Sequence, residues 1–268
     1  MEIISSRSNT KIKSARALRQ RKERESSGSF LVEGIYHVGA AVEAGAEIEE
    51  IFIAPDLLKS QYAQAIVEDA AGRGVPNFPT TVEVFSSLAS KENPQGILAV
   101  VRQRRENLNA LKPEKFSWGV ACVAPQDPGN VGTILRTIDA VGASGLLLLE
   151  GGVDPYHPTA IRASMGAIFH HPVVRVSFRD FSQWVEVHNY HVYGTSAHGK
   201  VDYLEFERYA LPTILLLGDE RQGLTPEQVE ICREVVSLPM NGQVSSLNLA
   251  VAAGVMLYAM REKLGREE

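Results

Sequence analysis

Two cysteines in 268 residues, Cys122 and Cys232, lie far apart in apolar or helical surroundings, with no CxxC pair and no Cys/His ligand spacing. This excludes a disulfide framework and a thiolate metal centre, and both are expected as buried free thiols. No run approaches the ~18 uninterrupted apolar residues of a membrane-spanning helix. The opening MEIISSRSNTK has no apolar stretch behind its charges, so neither a span nor a signal peptide is expected and the protein is placed in the cytoplasm. No GxGxxG follows a strand-like run, which removes the usual dinucleotide fingerprint. GTSAHGK at Gly194–Lys200 fits GxxxxGK, but Val201 stands where a Mg²⁺-binding hydroxyl belongs and VDYLEFERY is a poor amphipathic helix. A nucleotide triphosphatase is therefore disfavoured. The seven histidines show no metal spacing, and the adjacent His170 and His171 would point in different directions.

What is present is the composition of a globular protein, 44% hydrophobic and 22% charged, with length for roughly two domains. A net charge of −5 argues mildly against nucleic acid as a partner. The average conceals an uneven distribution. Residues 1–25 carry eight basic side chains against three acidic ones. At helical spacing, Lys11, Arg16 and Arg19 are expected on exposed faces of one short helix suited to neutralising phosphates.

From Phe30 to about Arg102, short β-type runs (FLVE, EEIFIA, GILAVVR) alternate with helix-type runs, notably Ile35 to Ala44 and Ala63 to Ala71. The polar RQRRENLNALKPEK follows. The expected division is a small N-terminal α/β domain over 1–105, a linker at about 103–115, and a second domain over 116–268. The second domain reads as six apolar strands (GVACVA, GLLLL, PVVRV, YHVYG, TILLL, EVVSL), most followed by an amphipathic helix. That pattern predicts a mostly parallel sheet covered on both faces, with ligands beyond the carboxyl ends of its strands.

Three loops at such ends carry candidate chemistry. In Gln126–Gly132, Asn130 suits a helix N-cap, and Arg136 should lean back over Gly132 toward the crevice. The alternative for Arg136 is a surface pair with Asp139. In Gly218–Leu224, two glycines bracket a charged turn containing Glu220 and permit close backbone approach to a ligand. Thr225, Pro226 and Gln228 then predict a capped helix start. In Leu238–Asn248, Ser245 or Ser246 is expected as the N-cap of an apolar helix running from Leu249 to about Arg261. Asn248 falls in its first turn, where a buried amide needs partners from a ligand or a neighbouring loop.

Taken together, DPGNVGTILRTIDAVGA, LLLGDERQGL and LPMNGQVSSLNLAVA resemble the three ordered motifs of the SpoU-type, or TrmH-like, RNA ribose 2′-O-methyltransferases of the SPOUT superfamily. The N-terminal SRSNTKIKSARAL, FLVEGIYHV and NPQGILAVV resemble the substrate-binding domain many of them carry, so nearly the whole chain is covered. One departure is Pro125, where members often have an acidic residue. The resemblance implies a C-terminal α/β domain with a deep trefoil knot, an obligate homodimer, and S-adenosyl-L-methionine as methyl donor without a metal. It implies Thr195, Gly218, Leu238, Met240 and Leu247 as donor-holding positions. It implies Asn130, Arg136, Glu220, Ser246 and Asn248 as the polar active-site positions. The implied substrate is structured RNA, with 23S ribosomal RNA favoured over transfer RNA; a non-catalytic RNA-binding ribosome-assembly factor is the alternative outside enzymes. A guanidinium holds its proton too tightly to be a good base, so Arg136 is read as an electrostatic stabiliser.

Overall fold

The computed structural model describes residues 2–265 except 91, 198 and 200, so His198 and Lys200 of the GxxxxGK lookalike lie outside the described residues. The chain forms two compact units, Met1–Arg104 with Tyr156–Phe169, and Arg105–Pro155 with His170–Glu268.

In the first unit the basic segment folds as two helices rather than one. In α1 (Thr10–Ala17), the Asn9 side chain caps the first turn by accepting from Lys11 N, and α2 (Arg21–Ser27) ends at Gly28 in the left-handed region. The turn between them lets Ile12, Ala15 and Leu18 enter a core with Phe52, Phe85 and Leu98. Then follow β1 (Ser29–Glu33), α3 (Ile35–Glu43), β2 (Ile48–Ile53), α4 (Gln61–Gly72), β3 (Asn77–Pro79), α5 (Val82–Leu88) and β4 (Ile97–Arg102). The sheet runs β1-β4-β2-β3, with β4 antiparallel to both neighbours.

Most of the expected row of cations is exposed but already partnered within the protein. Arg24 is 1% exposed and donates to the carbonyls of Leu18 and Arg19. Arg19 donates to the carbonyls of Leu88 and Ala89. Lys11 pairs with Glu50 at 3.1 Å, Arg7 with Glu83 at 3.1 Å and Arg21 with Glu25 at 2.8 Å. A buried backbone carbonyl or a nearby carboxylate competes with solvent for each cation, and charge counting cannot see that competition. Arg7, Lys11, Lys13, Arg19, Arg21 and Lys22 are nonetheless exposed, and Arg24 alone of the eight is buried.

The second unit is built on β5 (Trp118–Val123), α6 (Pro128–Val141) and β6 (Gly145–Leu149). The chain next runs through α7 (Pro158–Ala163), which belongs to the first unit, and returns with β7 (Val173–Val176) and α8 (Phe178–Val187). The rest is β8 (His191–Thr195), β9 (Val201–Asp202), β10 (Thr213–Leu217), α9 (Pro226–Glu230), β11 (Cys232–Ser237) and α10 (Leu249–Lys263). Among the described residues the sheet has seven strands, ordered β7-β6-β5-β10-β8-β11-β9, and every pair is parallel. All of β5, β6 and β10 are buried, as a sheet covered on both faces requires. Each such leucine contributes about 1.5–3 kcal/mol through burial. The end of α10 is tied to the segment before β10: Lys263 Nζ donates to the carbonyls of Tyr203 and Leu204, and Tyr209 N donates to Lys263 O at 3.1 Å.

The boundary at Arg104/Arg105 falls inside the linker read from composition, but Tyr156–Phe169 departs from the two-part division of the sequence. Phe30 holds it, with ring centroids 4.7 Å from Tyr156 and 6.4 Å from Phe169. Arg104 Nη1 donates to Phe169 O at 3.1 Å, and the Tyr36 hydroxyl to Met165 O at 3.2 Å. Partners this distant in sequence leave no periodic mark, so the segment reads as an ordinary connection.

Candidate functional site

Strands β10, β8 and β11 are neighbours, and their carboxyl ends, with the loop before α10, enclose a cavity of about 540 Å³. The floor of its turn is set by Gly218, where a Cβ would lie 2.4 Å from the carbonyl carbon of Gly223. Two backbone hydrogen bonds, Asp219 N to Gly223 O and Gly223 N to Asp219 O, close that turn at 3.0 and 2.9 Å. Asp219 Oδ1 braces its interior by accepting from Arg221 N and Gln222 N. Thr195, Gly218, Leu238, Met240 and Leu247 all line the cavity, as do Glu220, Ser246 and Asn248.

Both loop-to-helix junctions are capped differently from expectation. At α6 the N-cap is Asp127, accepting from Gly129 N at 2.6 Å with Pro128 at the first helical position. Asn130 therefore lies one turn in, 8% exposed, with its amide free for other work. At α10 neither serine caps. Asn248 does, its Oδ1 accepting from Ala250 N at 2.9 Å and Val251 N at 3.3 Å. It is exposed rather than buried. Proline fixes the first residue of α6 and leaves Asp127 as the last non-helical position. An asparagine can cap with its oxygen and still donate with its nitrogen, which a serine in the same place does less well.

Those capping bonds orient a chain of side chains. With its oxygen committed to the helix, Asn248 donates through Nδ2 to Asn130 Oδ1 at 3.0 Å. Asn130 then donates through Nδ2 to Glu220 Oε1 at 2.8 Å. An ionised carboxylate accepts and never donates, so both ends force the same amide orientations. The three expected polar positions, far apart in sequence, form one network at the cavity edge. The Glu220 carboxylate also reaches the Cys122 thiol electrostatically. Burial, and secondarily that carboxylate, pushes this thiol up to about 12, so it stays protonated and inert.

Arg136 and its alternative partner Asp139 are not bonded to each other. Arg136 is exposed on α6 and outside the cavity lining, while Asp139 Oδ1 sits 2.8 Å from His171 Nε2. The sequence reading missed Asp219, Arg221 and Ser245 in the lining. The signal for Asp219 was there, since an aspartate two and three residues before unpaired N–H groups is an Asx-turn pattern. Among the described residues no helix is long and apolar enough to cross a membrane, and no three His, Cys, Asp or Glu side chains cluster to hold a metal.

Residues 118–258 match the SpoU rRNA Methylase family, and residues 9–99 match an MRM3-like substrate binding domain. A 23S rRNA (uridine(2479)-2′-O)-methyltransferase of Streptomyces viridochromogenes is 33% identical over 255 residues, covering 92% of this chain and 88% of that protein. A 23S rRNA (guanosine(2553)-2′-O)-methyltransferase of Bacillus subtilis (strain 168) is 30% identical, covering 97% and 100%. Among solved structures, the AdoMet-bound rRNA methyltransferase from Sinorhizobium meliloti superposes with a TM-score of 0.88 at 32% identity, covering 97% of each chain.

Proposed function

We propose, for a chain that belongs to the SpoU rRNA Methylase family, the transfer of a methyl group from S-adenosylmethionine to one ribose 2′-hydroxyl of 23S ribosomal RNA. The enzyme is an S-adenosylmethionine-dependent RNA (ribose-2′-O)-methyltransferase on the knotted α/β fold of its structural neighbours. The two relatives are named for a uridine and a guanosine, so the ribose, not the base, is the chemistry they share.

The observation that carries the site assignment is the Asn248–Asn130–Glu220 chain at the edge of the cavity. The residues fit the donor. A volume of about 540 Å³ lies within the ~300–1,000 Å³ of small-molecule sites. The Gly218 turn can close this tightly at the cavity only without a side chain, since a Cβ there would meet the Gly223 backbone. Thr195, Gly218, Leu238, Met240 and Leu247 would hold the donor, which when bound supplies an activated methyl on a sulfonium. Asn130 and Asn248 hold Glu220 in one orientation, and Glu220 with the exposed Ser246 hydroxyl positions the nucleotide. Arg136 has neither Asp139 nor the cavity wall as partner. Its role is to stabilise the developing alkoxide or grip the adjacent phosphate once RNA completes the mouth.

The first unit is assigned to RNA recognition and the protein to the cytoplasm, where ribosomal RNA is its substrate. The working form is a homodimer. Its support is an exposed apolar stripe on α10, Val251, Val255 and Tyr258, which begins beside the cavity.

The experiment is methylation of unmodified 23S RNA with isotopically labelled donor, followed by mapping of the labelled nucleotide. Label on a single 2′-oxygen is the expected result, and label on a base or on no RNA refutes the reading. Within the same assay, Arg136→Ala is expected to lower single-turnover rate by ~10²-fold or more with donor affinity retained. A wild-type rate at saturating RNA and donor removes Arg136 from the reaction.

A further inference from the structure

The charges facing the cavity are unequal in what they have left to give. Two carboxylates line it, Asp219 and Glu220, and both are committed: Asp219 to the N–H groups of Arg221 and Gln222, Glu220 to the amide of Asn130. Among the described residues Arg221 is the one basic side chain in the lining. It is exposed, and its guanidinium makes no hydrogen bond or ion pair with the described residues. Its backbone belongs to the turn closed by the paired Asp219–Gly223 hydrogen bonds and packed against Gly218. Ligand binding therefore has to order the Arg221 side chain alone, a small entropic cost.

We infer that Arg221 binds the phosphodiester adjoining the target ribose. The inference rests on the reading of this cavity as the place where donor and RNA ribose meet. A ribose whose 2′-oxygen enters the cavity brings its 3′-phosphate with it, because the two groups sit on adjacent ring carbons. A polyanion delivered to a mouth carrying two carboxylates requires a cation there, and the planar guanidinium matches two phosphate oxygens at once. A second oxyanion would also meet this cavity, the carboxylate of the methyl donor, and the two sources are separable by experiment.

Full-length wild type, Arg221→Gln and Arg221→Lys are compared on unmodified 23S RNA transcript, with donor affinity measured by calorimetry in the absence of RNA. Arg221→Gln is expected to raise the RNA KM roughly tenfold, to hold kcat within about twofold, and to lower the salt slope of RNA binding by about one. Arg221→Lys is expected to keep the salt slope but recover only part of the KM, since charge survives and the fork does not. Donor affinity and melting temperature are expected to match wild type in both. Weakened donor binding with an unchanged RNA KM overturns the inference in favour of the donor carboxylate. Unchanged RNA and donor parameters overturn it in favour of a solvated side chain. Failure of the wild type itself to label RNA counts against the proposed reaction and is read from the control, separately from the variants.

Discussion

In the first unit Arg24, 1% exposed, donates to carbonyls five and six residues away. In the second, Asn130, 8% exposed, donates to a carboxylate 90 residues away and accepts from an amide 118 residues away. Both are buried polar side chains with satisfied bonds. The arginine closes the backbone of its own neighbourhood, so its loss is felt as local unfolding. The asparagine joins loops from three separate strand–helix connections, so its loss is felt where those loops meet. The same chemistry, a satisfied buried polar group, thus fastens a turn in one unit and assembles a site in the other.

The strongest way to break this contrast is to damage the first unit and look for an effect on the second. Phe30 is 2% exposed against Tyr156 and Phe169, so Phe30→Ala is expected to cost ~3–5 kcal/mol, read by denaturant melts. Donor affinity at low temperature should survive. If it is lost in parallel, the division of labour fails. Next in size is Gly218→Ala, whose Cβ would press on Gly223 backbone. Overpacking of ~1–3 kcal/mol drawn from donor binding corresponds to up to ~10²-fold in affinity by calorimetry. Wild-type affinity would place the donor elsewhere. Asn130→Ala sharpens the contrast most finely. It removes a donor from Glu220 and an acceptor from Asn248, an expected ~1–3 kcal/mol of stability with a larger proportional fall in turnover. A stability loss with full turnover would make the network structural only.

Much of the fold was legible because it is written in local pattern. TILLL, GLLLL and GVACVA are apolar runs, and they became the buried centre of the parallel sheet, the last shifted by one residue to Trp118–Val123. Thr225, Pro226 and Gln228 became a capping box because its chemistry spans four consecutive residues. What was misread depends on partners far away in sequence. Asn130 and Asp127 are both good caps on paper, and only their surroundings decide which one bonds the helix. The basic segment looked free because the carbonyls of Leu88 and Ala89 that receive Arg19 lie outside it. For Arg136 the Asp139 pairing was a matter of spacing alone, and Asp139 instead meets His171, 32 residues away.

The excursion of Tyr156–Phe169 into the first unit bears on how the chain is made. A ribosome adding ~5–20 residues per second releases Arg104 several seconds before Phe169. During that interval the amino-terminal unit is present but lacks its last aromatic partners, and Phe30 faces an open slot. Strands β5 and β6 emerge in between, so the nascent chain must hold two of the seven strands of its second sheet in waiting while the older unit is completed. Maturation of the two units is therefore interleaved in time, and a pause in translation after Phe169 would favour the native product more than a pause after Arg104.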